Sequence, residues 1–452
     1  MSGIAGIARS GMQVRVNRML EKMAHRGQAG RDVFEVEGVT LGVIWPKAQA
    51  TSADDLRQAN RVQDRAGEER LAQAEVTPKG LVLKRDLLGV APLYYGRTLD
   101  GVLCFASEVK ALLEVTHDVH ELLPGHTYDG ARAESYFRLT RQTPLSEPPG
   151  RVAQELRRRL NVSVEKRIGN GEVGAWLSGG LDSSTMAALA RPHIKQLHTF
   201  AVGLPGALDL EYARAVAEYL QATHHEIRVT FGEMLTVLPA VICHLESFDA
   251  LLVRSSITNY LVAKAAADYV PAVFSGAGGD ELFAGYNYLK ALDLAALPDE
   301  LIGITGQLHN TALQRVDRSA AAHDTIAHVS FLDPDVVDYA LRIPIELKLH
   351  NGTEEWILRL ALDGTLPARV LNRTISKFWE GAGVGELLAR YADEAITAAD
   401  FQCEYQLLDG SQLNSKEELL YYRIFRERFG KFSDLTWLGR TKGVPVQASL
   451  IT

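Results

Sequence analysis

The sequence predicts two domains: an α+β domain built on antiparallel strands, and an α/β domain built on a parallel sheet with a helical C-terminal part. Upstream, short apolar runs such as LVLKRD, LYYGR and VLCFAS are bounded by Gly, Pro and Asp, which is typical of antiparallel strands. Downstream, strand and helix patterns alternate, which indicates parallel βαβ units. The run TPLSEPPG at 143–150 separates the two because proline disfavours regular pairing. The expected domains are 1–142 and 151–452.

The elements of the second domain follow from periodicity. Helical spacing of apolar residues over 209–221 predicts a helix, and SSTMAALAR predicts another at 183–191. From about residue 305 onwards the pattern is mainly helical. In parallel sheets ligands bind at the carboxyl ends of the strands, so a site is expected in the loops that follow them. The predicted strands cover 172–177, 198–204, 224–230 and 270–275.

Composition limits the classes of function. The 452 residues are 46% hydrophobic and 23% charged, which is typical of a globular protein. The net charge of -8 gives no basic surface, so nucleic acid is not an expected partner. The N-terminus lacks the apolar run of a signal peptide, and charges or glycines interrupt every longer apolar stretch, so no membrane partner is expected. Cys104, Cys243 and Cys403 are far apart and form no C-x-x-C pair, which indicates reduced thiols and a cytoplasmic location.

The strongest motif is SGGLDSS at 178–184, between a predicted strand and a predicted helix. Gly179 and Gly180 allow a tight turn and close approach of a ligand. Backbone N–H groups at the start of a helix form a pocket for phosphates. Asp182 is a suitable Mg²⁺ ligand, and Ser183 or Ser184 is expected to cap the helix while donating to phosphate.

A second glycine-rich loop, SGAGGDELFAGY at 275–286, follows the predicted strand 270–275. Asp280 in this loop is the candidate for a second Mg²⁺ ligand, opposite Asp182. No G-x-x-x-x-G-K-[ST] motif occurs, which excludes a P-loop NTPase. GNGEVG at 169–174 precedes a strand rather than following one, so it is interpreted as a plain turn.

Taken in series, these motifs resemble the asparagine synthetase family, to which β-lactam synthetases are related. The second domain is similar to the family's pyrophosphate-loop synthetase domain. The first is similar to its class II glutaminase domain, an antiparallel sandwich of the N-terminal nucleophile type. The segments that carry the resemblance are SGGLDSS, LHTFAVGLPG (197–206), THHEI (223–227), SGAGGDELFAGY, VSFLD (329–333), EGAG (380–383), SKEELLYYRIFRERFG (415–430), GIAGI (3–7), HRG (25–27), RDLLGVAPLYYG (85–96) and FASEVKALL (105–113).

The resemblance implies cofactors and roles. ATP is expected with its adenine near Leu177 and Val202, with Ser178, Gly179, Gly180 and Ser183 in the phosphate loop, and with Ser275 and Gly276 beside the nucleotide. Asp182 and Asp280 are expected to hold Mg²⁺ on the pyrophosphate. A substrate carboxylate would attack the α-phosphorus, and ammonia or an amine would then displace AMP. A homodimer, or a pair with an active paralogue, is the implied assembly.

Two departures concern the glutaminase half. The family's N-terminal cysteine nucleophile is replaced by Ser2, and a hydroxyl is a far weaker nucleophile than a thiol near neutral pH. The glutamine-pocket motif Asn-Gly-Glu-Ile-Tyr-Asn is missing, and the segment 47–76 is a polar stretch instead. The sequence therefore predicts a degenerate domain that has lost glutaminase activity and is retained as a structural module.

Two further departures concern the synthetase half. Ala277 stands where the family has Glu or Tyr to assist the amine step, and Ile375 stands where it has a lysine that steadies pyrophosphate. Lys377 is the candidate catalytic replacement, with a solvated surface charge as the alternative. Three interpretations stay open: an amide-forming ligase that uses ammonia or an amine, a specialised-metabolite ligase or cyclase, and an ATP-binding pseudo-synthetase paired with an active relative.

Overall fold

The computed structural model describes residues 2–48, 61–66, 69–169, 171–373 and 381–441. The N-terminal part contains two antiparallel sheets, with strand orders β2-β3-β1-β8-β7-β9 and β11-β10-β6-β5-β4. The antiparallel prediction is confirmed, and the face-to-face sandwich stays a prediction. The elements are β1 (Gly3–Ile7), α1 (Gln13–Lys22), β2 (Gly30–Val36), β3 (Val39–Trp45), β4 (Arg61–Ala66), β5 (Glu69–Thr77), β6 (Gly80–Arg85), β7 (Tyr94–Arg97), β8 (Leu103–Ala106), α2 (Val109–Leu112), β9 (His120–Glu121), β10 (His126–Tyr128) and β11 (Ala133–Ser135).

The polar segment 47–76 is partly strand. Within its described residues, β4 and the greater part of β5 pair with each other in antiparallel register. β4 buries Val62 and Asp64 completely, so a segment that is polar in sequence contributes both an apolar and a charged side chain to the interior. The hydrophilic composition alone gave no indication of these strands.

The C-terminal part is built on a parallel sheet with the order β14-β13-β12-β15-β16. Its elements are α3 (Pro149–Glu165), β12 (Val173–Trp176), α4 (Leu181–Ala190), β13 (His198–Gly203), α5 (Leu208–Tyr219), β14 (Thr223–Arg228), α6 (Phe231–Leu245), α7 (Ala250–Ala266), β15 (Ala272–Phe274), α8 (Gly279–Phe283), α9 (Leu297–Gly306), α10 (Ala312–Ala321), β16 (Ile326–His328), α11 (Pro334–Arg342), α12 (Ile345–Lys348), α13 (Trp356–Ala361), α14 (Ala368–Leu371), α15 (Leu387–Ala395), α16 (Ala398–Glu404) and α17 (Lys416–Phe429).

All four strands predicted for this sheet are present, and a fifth, β16, lies within the region predicted to be mainly helical. It is three residues long, too short to show a strand period, and it exists because it pairs with β15. From β12 the chain runs outward to β13 and β14, then returns to the other side of β12 as β15. The point where strand order reverses therefore lies between β12 and β15, and there the two glycine-rich loops leave the sheet side by side.

In the described part of the chain, no single helix is long and apolar enough to cross a membrane. Only α6 and α7 together meet the length and composition, and the two are bent by 109° relative to each other. All three cysteines are free thiols, as predicted. The division into 1–142 and 151–452 stays a prediction. In the structure, the last strand of the N-terminal part ends at Ser135 and α3 begins at Pro149.

Candidate nucleotide and metal site

The loop after β12 is shaped by Gly179. This residue has a φ of +72°, and a Cβ placed there would lie 2.4 Å from the Cβ of Tyr212 on α5. The residue must therefore be glycine for two reasons, its backbone conformation and its contact with a neighbouring helix. As a result, the loop turns directly into the N-terminus of α4, and backbone N–H groups at that end favour an anion.

The predicted serine cap of α4 is wrong. The N-cap residue is Gly180, and no side chain accepts a hydrogen bond there. The Ser183 hydroxyl lies 3.2 Å from the backbone nitrogen of Ser178 and 3.2 Å from the carbonyl oxygen of Gly180, to which it donates. Ser184 is fully buried. Ser183 thus holds the two ends of the loop together, and the Gly180 N–H donates to the Ser178 hydroxyl over 3.3 Å.

The loop after β15 lies directly against the first loop. The Asp280 backbone N–H donates to Oδ2 of Asp182 over 3.1 Å. A Cβ on Gly279 would lie 2.1 Å from Oδ1 of Asp182, and one on Gly276 would lie 2.7 Å from the nitrogen of Ser183. The glycines of the second loop are therefore required by close contact with the first, a reason that only the folded structure reveals.

Three carboxylates converge where the loops meet, and we call Asp182, Asp280 and Glu355 the acid cluster. One oxygen from each lies within 4.8 Å of the others. Oδ1 of Asp182 and both carboxylate oxygens of Glu355 are buried and make no hydrogen bond with the described part of the chain. Glu355 has a φ of +52°, so a strained backbone turns this side chain toward the loops.

Burial and repulsion from neighbouring carboxylates raise the pKa values of the acid cluster. For Asp182 the pKa lies well above its usual range because of burial, and then because of the neighbouring Glu355 and Asp280 charges. Burial and the Glu281 charge raise the pKa of Asp280 to about 7, opposed by Arg315. Burial and the Asp280 charge also raise the pKa of Glu355, opposed by Arg359. A hard divalent cation would relieve this repulsion, and oxygens of this type suit Mg²⁺, so the residues fit the predicted metal.

Cationic and phenolic groups line the rest of the cavity. Arg315 is buried beside Tyr286, Glu281 and Asp280, whose charges oppose the lowering of its pKa by burial. The Tyr286 hydroxyl donates to the Glu281 carboxylate. Arg373 lies beside the first loop and donates to the Ser178 carbonyl over 3.2 Å. The cavity therefore has both the cations that attract phosphate and the carboxylates that hold a metal.

The structure brings nearly all of the predicted nucleotide residues to this cavity. Gly179 alone among the described ones does not line it, because its role is to shape the loop. Lys377 and Ile375 lie outside the described residues, so the catalytic role of Lys377 stays a prediction. The predicted residues that line the cavity are Leu177, Ser178, Gly180, Asp182, Ser183, Val202, Ser275, Gly276 and Asp280.

Sequence reasoning missed several residues of the cavity wall. Glu355 follows a turn of ordinary composition, Arg315 lies within α10, and Arg373 comes two residues after the end of α14. None of them belongs to a local motif, since each reaches the site through the tertiary fold. Two adjacent acids at 354–355 after an Asn-Gly turn were the only available signal, and it is weak.

A second group of buried charges surrounds Ser2, and we call it the paired cluster: Arg26, Asp64, Glu108, Lys110, Glu246, Asp317 and Arg318. The Arg26 guanidinium lies 2.8 and 2.9 Å from the two carboxylate oxygens of Asp317 and 2.9 Å from Glu108. Its Nε donates to the Ser2 carbonyl over 2.9 Å. Ser2 itself is 1% exposed. The Ser2 backbone is therefore held by a cluster of ion pairs that joins the two parts of the chain.

Known protein families match both the N-terminal and the C-terminal part of the chain. The chain matches the asparagine synthase family over residues 155–304 and 295–443, and the glutamine amidotransferase domain over 71–138. It is 34% identical over 377 residues to the glutamine-hydrolysing asparagine synthetase B of Escherichia coli, covering 77% of this chain and 67% of that protein. It is 35% identical over 389 residues to a probable glutamine-hydrolysing asparagine synthetase of Schizosaccharomyces pombe, covering 77% of this chain and 70% of the relative.

Proposed function

We propose that this chain activates a carboxylate and converts it to an amide. The premise is that the chain belongs to the asparagine synthetase family and is an ATP-dependent C–N ligase. In the proposed reaction, a carboxylate oxygen of the substrate attacks the α-phosphorus of ATP. Pyrophosphate leaves and an acyl-adenylate forms. Ammonia or an amine then attacks the acyl carbon, and AMP leaves as the amide forms.

The observation that carries this proposal is the acid cluster beside a glycine loop at the point where strand order reverses. Asp182, Asp280 and Glu355 would hold Mg²⁺, which neutralises part of the polyphosphate charge and orients it when bound. The backbone of 178–183 would bind the phosphates through the N-terminus of α4. Leu177 and Val202, which are buried in the cavity wall, would contact the adenine.

At position 277 this chain has no general base for the amide-forming step. Ala277 lines the cavity and offers no group that can accept a proton. The attacking amine must therefore arrive as its free base, or lose its proton to the substrate or to another residue. This requirement supports ammonia or a substrate amine as the nitrogen source.

We further propose that the N-terminal part does not hydrolyse glutamine. A nucleophile has to reach its substrate, and Ser2 is buried with its carbonyl held by Arg26. The paired cluster connects this part to α10 through Asp317 and Arg318. These contacts support a structural role for residues 1–142 in bracing the synthetase part, 151–452.

The test is ATP–pyrophosphate exchange by the purified full-length chain, scanned over aspartate, glutamate and larger amino-acid carboxylates. At least one carboxylate should support exchange, and with ammonia or an amine the products should be AMP, pyrophosphate and an amide. Asp280→Asn should abolish exchange, whereas Asp338→Asn on the exposed side of α11 is the matched control. Release of ADP and phosphate would contradict the proposal, as would the absence of exchange with every carboxylate.

A further inference from the structure

A buried ion pair stands at the edge of the nucleotide loop. Arg373 and Asp209 are both nearly inaccessible to solvent, and an Arg373 Nη donates to the Asp209 carboxylate. The other Nη donates to the Ser178 carbonyl, and the guanidinium carbon lies 4.2 Å from the centre of the Tyr212 ring. Three contacts of different kinds therefore fix this guanidinium next to the first residue of SGGLDSS.

Arg373 is the cation nearest that loop among the described residues lining the cavity. The other cationic side chain there, Arg315, has Asp280, Glu281 and Tyr286 as its ionisable neighbours. A polyphosphate lying along the loop would bring several negative charges to the Arg373 side. A guanidinium that is already oriented stabilises such charge with little reorganisation.

Asp209 connects Arg373 to a third segment. It lies in the first turn of α5, and a Cβ added to Gly381 would come within 2.1 Å of its Oδ1. The same segment is fixed by the Leu204 backbone N–H, which donates to the Ala382 carbonyl over 3.0 Å. Gly381 must therefore lack a side chain for Asp209 to keep its place beside Arg373. Asp209 acts as a positioning residue for the guanidinium.

We propose that Arg373, oriented by Asp209, binds the pyrophosphate part of ATP and stabilises it as the leaving group of adenylation. This assignment rests on the proposed function. As the bond between the α- and β-phosphates breaks, its electron pair passes to the bridging oxygen, and negative charge accumulates on the departing pyrophosphate. A fixed guanidinium favours that charge more than it favours the ground state, so its effect belongs mainly to the transition state. The isoleucine at 375 offers no charge for this role, whereas Arg373 offers a planar, permanently charged group.

The experiment measures binding of Mg·pyrophosphate, Mg·ATP and AMP by calorimetry on the full chain. Arg373→Ala should weaken Mg·pyrophosphate binding by roughly 10- to 100-fold, the range expected for hydrogen bonds to a charged group. AMP, which lacks the pyrophosphate, should change by less than about threefold. Where wild type supports exchange, kcat should fall more than KM for the carboxylate increases. Arg369→Ala is the matched control, because its guanidinium lies over the same Tyr212 ring at 6.0 Å but is exposed, and it should change none of these values.

Two more variants distinguish charge stabilisation from folding. Asp209→Asn and Gly381→Ala should reproduce part of the loss, and Asp209→Asn combined with Arg373→Ala should be no worse than Arg373→Ala alone. Arg373→Lys keeps the charge and should retain more pyrophosphate affinity than Arg373→Ala. Equal loss of AMP and pyrophosphate affinity, or undiminished pyrophosphate binding in folded Arg373→Ala and Arg373→Lys, would overturn this assignment. Absence of exchange in wild type would instead overturn the proposed function, and the binding comparison would still decide the role of Arg373.

Discussion

The paired cluster and the acid cluster are both buried, but they balance their charges in opposite ways. In the paired cluster, Arg26, Lys110 and Arg318 alternate with carboxylates, and Arg318 lies 2.7 Å from Glu108 and 3.0 Å from Glu246. In the acid cluster, three carboxylates converge, and burial together with repulsion from neighbouring carboxylates raises their pKa values. In the first arrangement each carboxylate has a cationic partner within the protein, although Arg26 compensates Asp64 only in part. The second is proposed to bind a cation from outside.

This difference separates a structural role from a functional one. A buried ion pair that loses one partner leaves an uncompensated charge, which is strongly destabilising. A carboxylate that loses one of its like-charged neighbours is relieved of repulsion. The free energy of unfolding should therefore respond to substitutions in the paired cluster, and ligand binding should respond to substitutions in the acid cluster.

The largest effect is expected for Arg26→Ala. This substitution leaves Asp317, Glu108 and Asp64 buried without the guanidinium that contacts all three. The free energy of unfolding should fall by about 3–5 kcal/mol, as for other buried charges that lose their partner. Urea denaturation followed by circular dichroism measures the change.

The control for this substitution is Arg31→Ala. Arg31 pairs with Glu21 at 3.6 Å, but the two side chains are 49% and 58% exposed. An exposed pair contributes little, so the stability should change by less than about 0.5 kcal/mol. A similar small effect for Arg26→Ala would show that the paired cluster does not join the two parts of the chain.

Asp182→Asn should lower ligand affinity without lowering stability, the opposite of what is expected for Arg26→Ala. Removing one of three repelling carboxylates should leave the unfolding free energy without Mg²⁺ unchanged or higher. Mg·ATP affinity should fall by on the order of 100-fold, since changes to groups that only orient a metal ligand already cost 10- to 100-fold. Titration calorimetry with Mg·ATP tests this, with Asp338→Asn as the exposed control. Unchanged Mg·ATP affinity in a folded variant would remove Asp182 from the metal site.

A smaller effect is expected in the pH dependence of the free energy of unfolding, which reports how fully Arg26 compensates Asp64. Burial raises the pKa of Asp64 to about 7, and Arg26 only partly opposes it. Because the folded pKa lies above the ordinary value near 4, the stabilisation due to this carboxyl is full below about pH 4 and is lost as pH rises to about 7. Between about pH 4 and pH 7, the free energy of unfolding of the wild type should therefore fall relative to that of Asp64→Asn. Parallel curves for the two proteins from pH 4 to pH 8 would contradict it.

The smallest effect is expected at Ser2. Wild type should release no glutamate from glutamine, with or without ATP and candidate carboxylates, and Ser2→Cys should not create this activity. A thiol at a buried position lacks both access to substrate and the pocket that orients glutamine. Glutamate release is measured by a coupled assay. Turnover in wild type that disappears in Ser2→Ala would show that Ser2 is a working nucleophile.

Local sequence patterns determined the elements that carry the candidate nucleotide site. The strands at 173–176 and 198–203 and the helix at 208–219 lie within about two residues of their predicted bounds, because each combines a regular apolar period with clear turn residues. The loops at 178–184 and 275–286 were also recognised, since phosphate binding depends on a contiguous run of backbone N–H groups. Their juxtaposition followed from the carboxyl ends of parallel strands lying at one edge of a sheet.

Only the tertiary structure decided which other side chains reach the site and which charges are paired. Glu355, Arg315 and Arg373 come from distant segments without motifs, and the folded chain alone places them around one cavity. The segment 47–76 is polar in sequence, but β4 buries Asp64, and Arg26 from a distant segment compensates part of its charge. Functional groups that act through adjacent backbone atoms, such as the N–H groups of a phosphate loop, can be predicted from the sequence alone. Groups that act through space depend on packing between distant segments, which local periodicity does not encode.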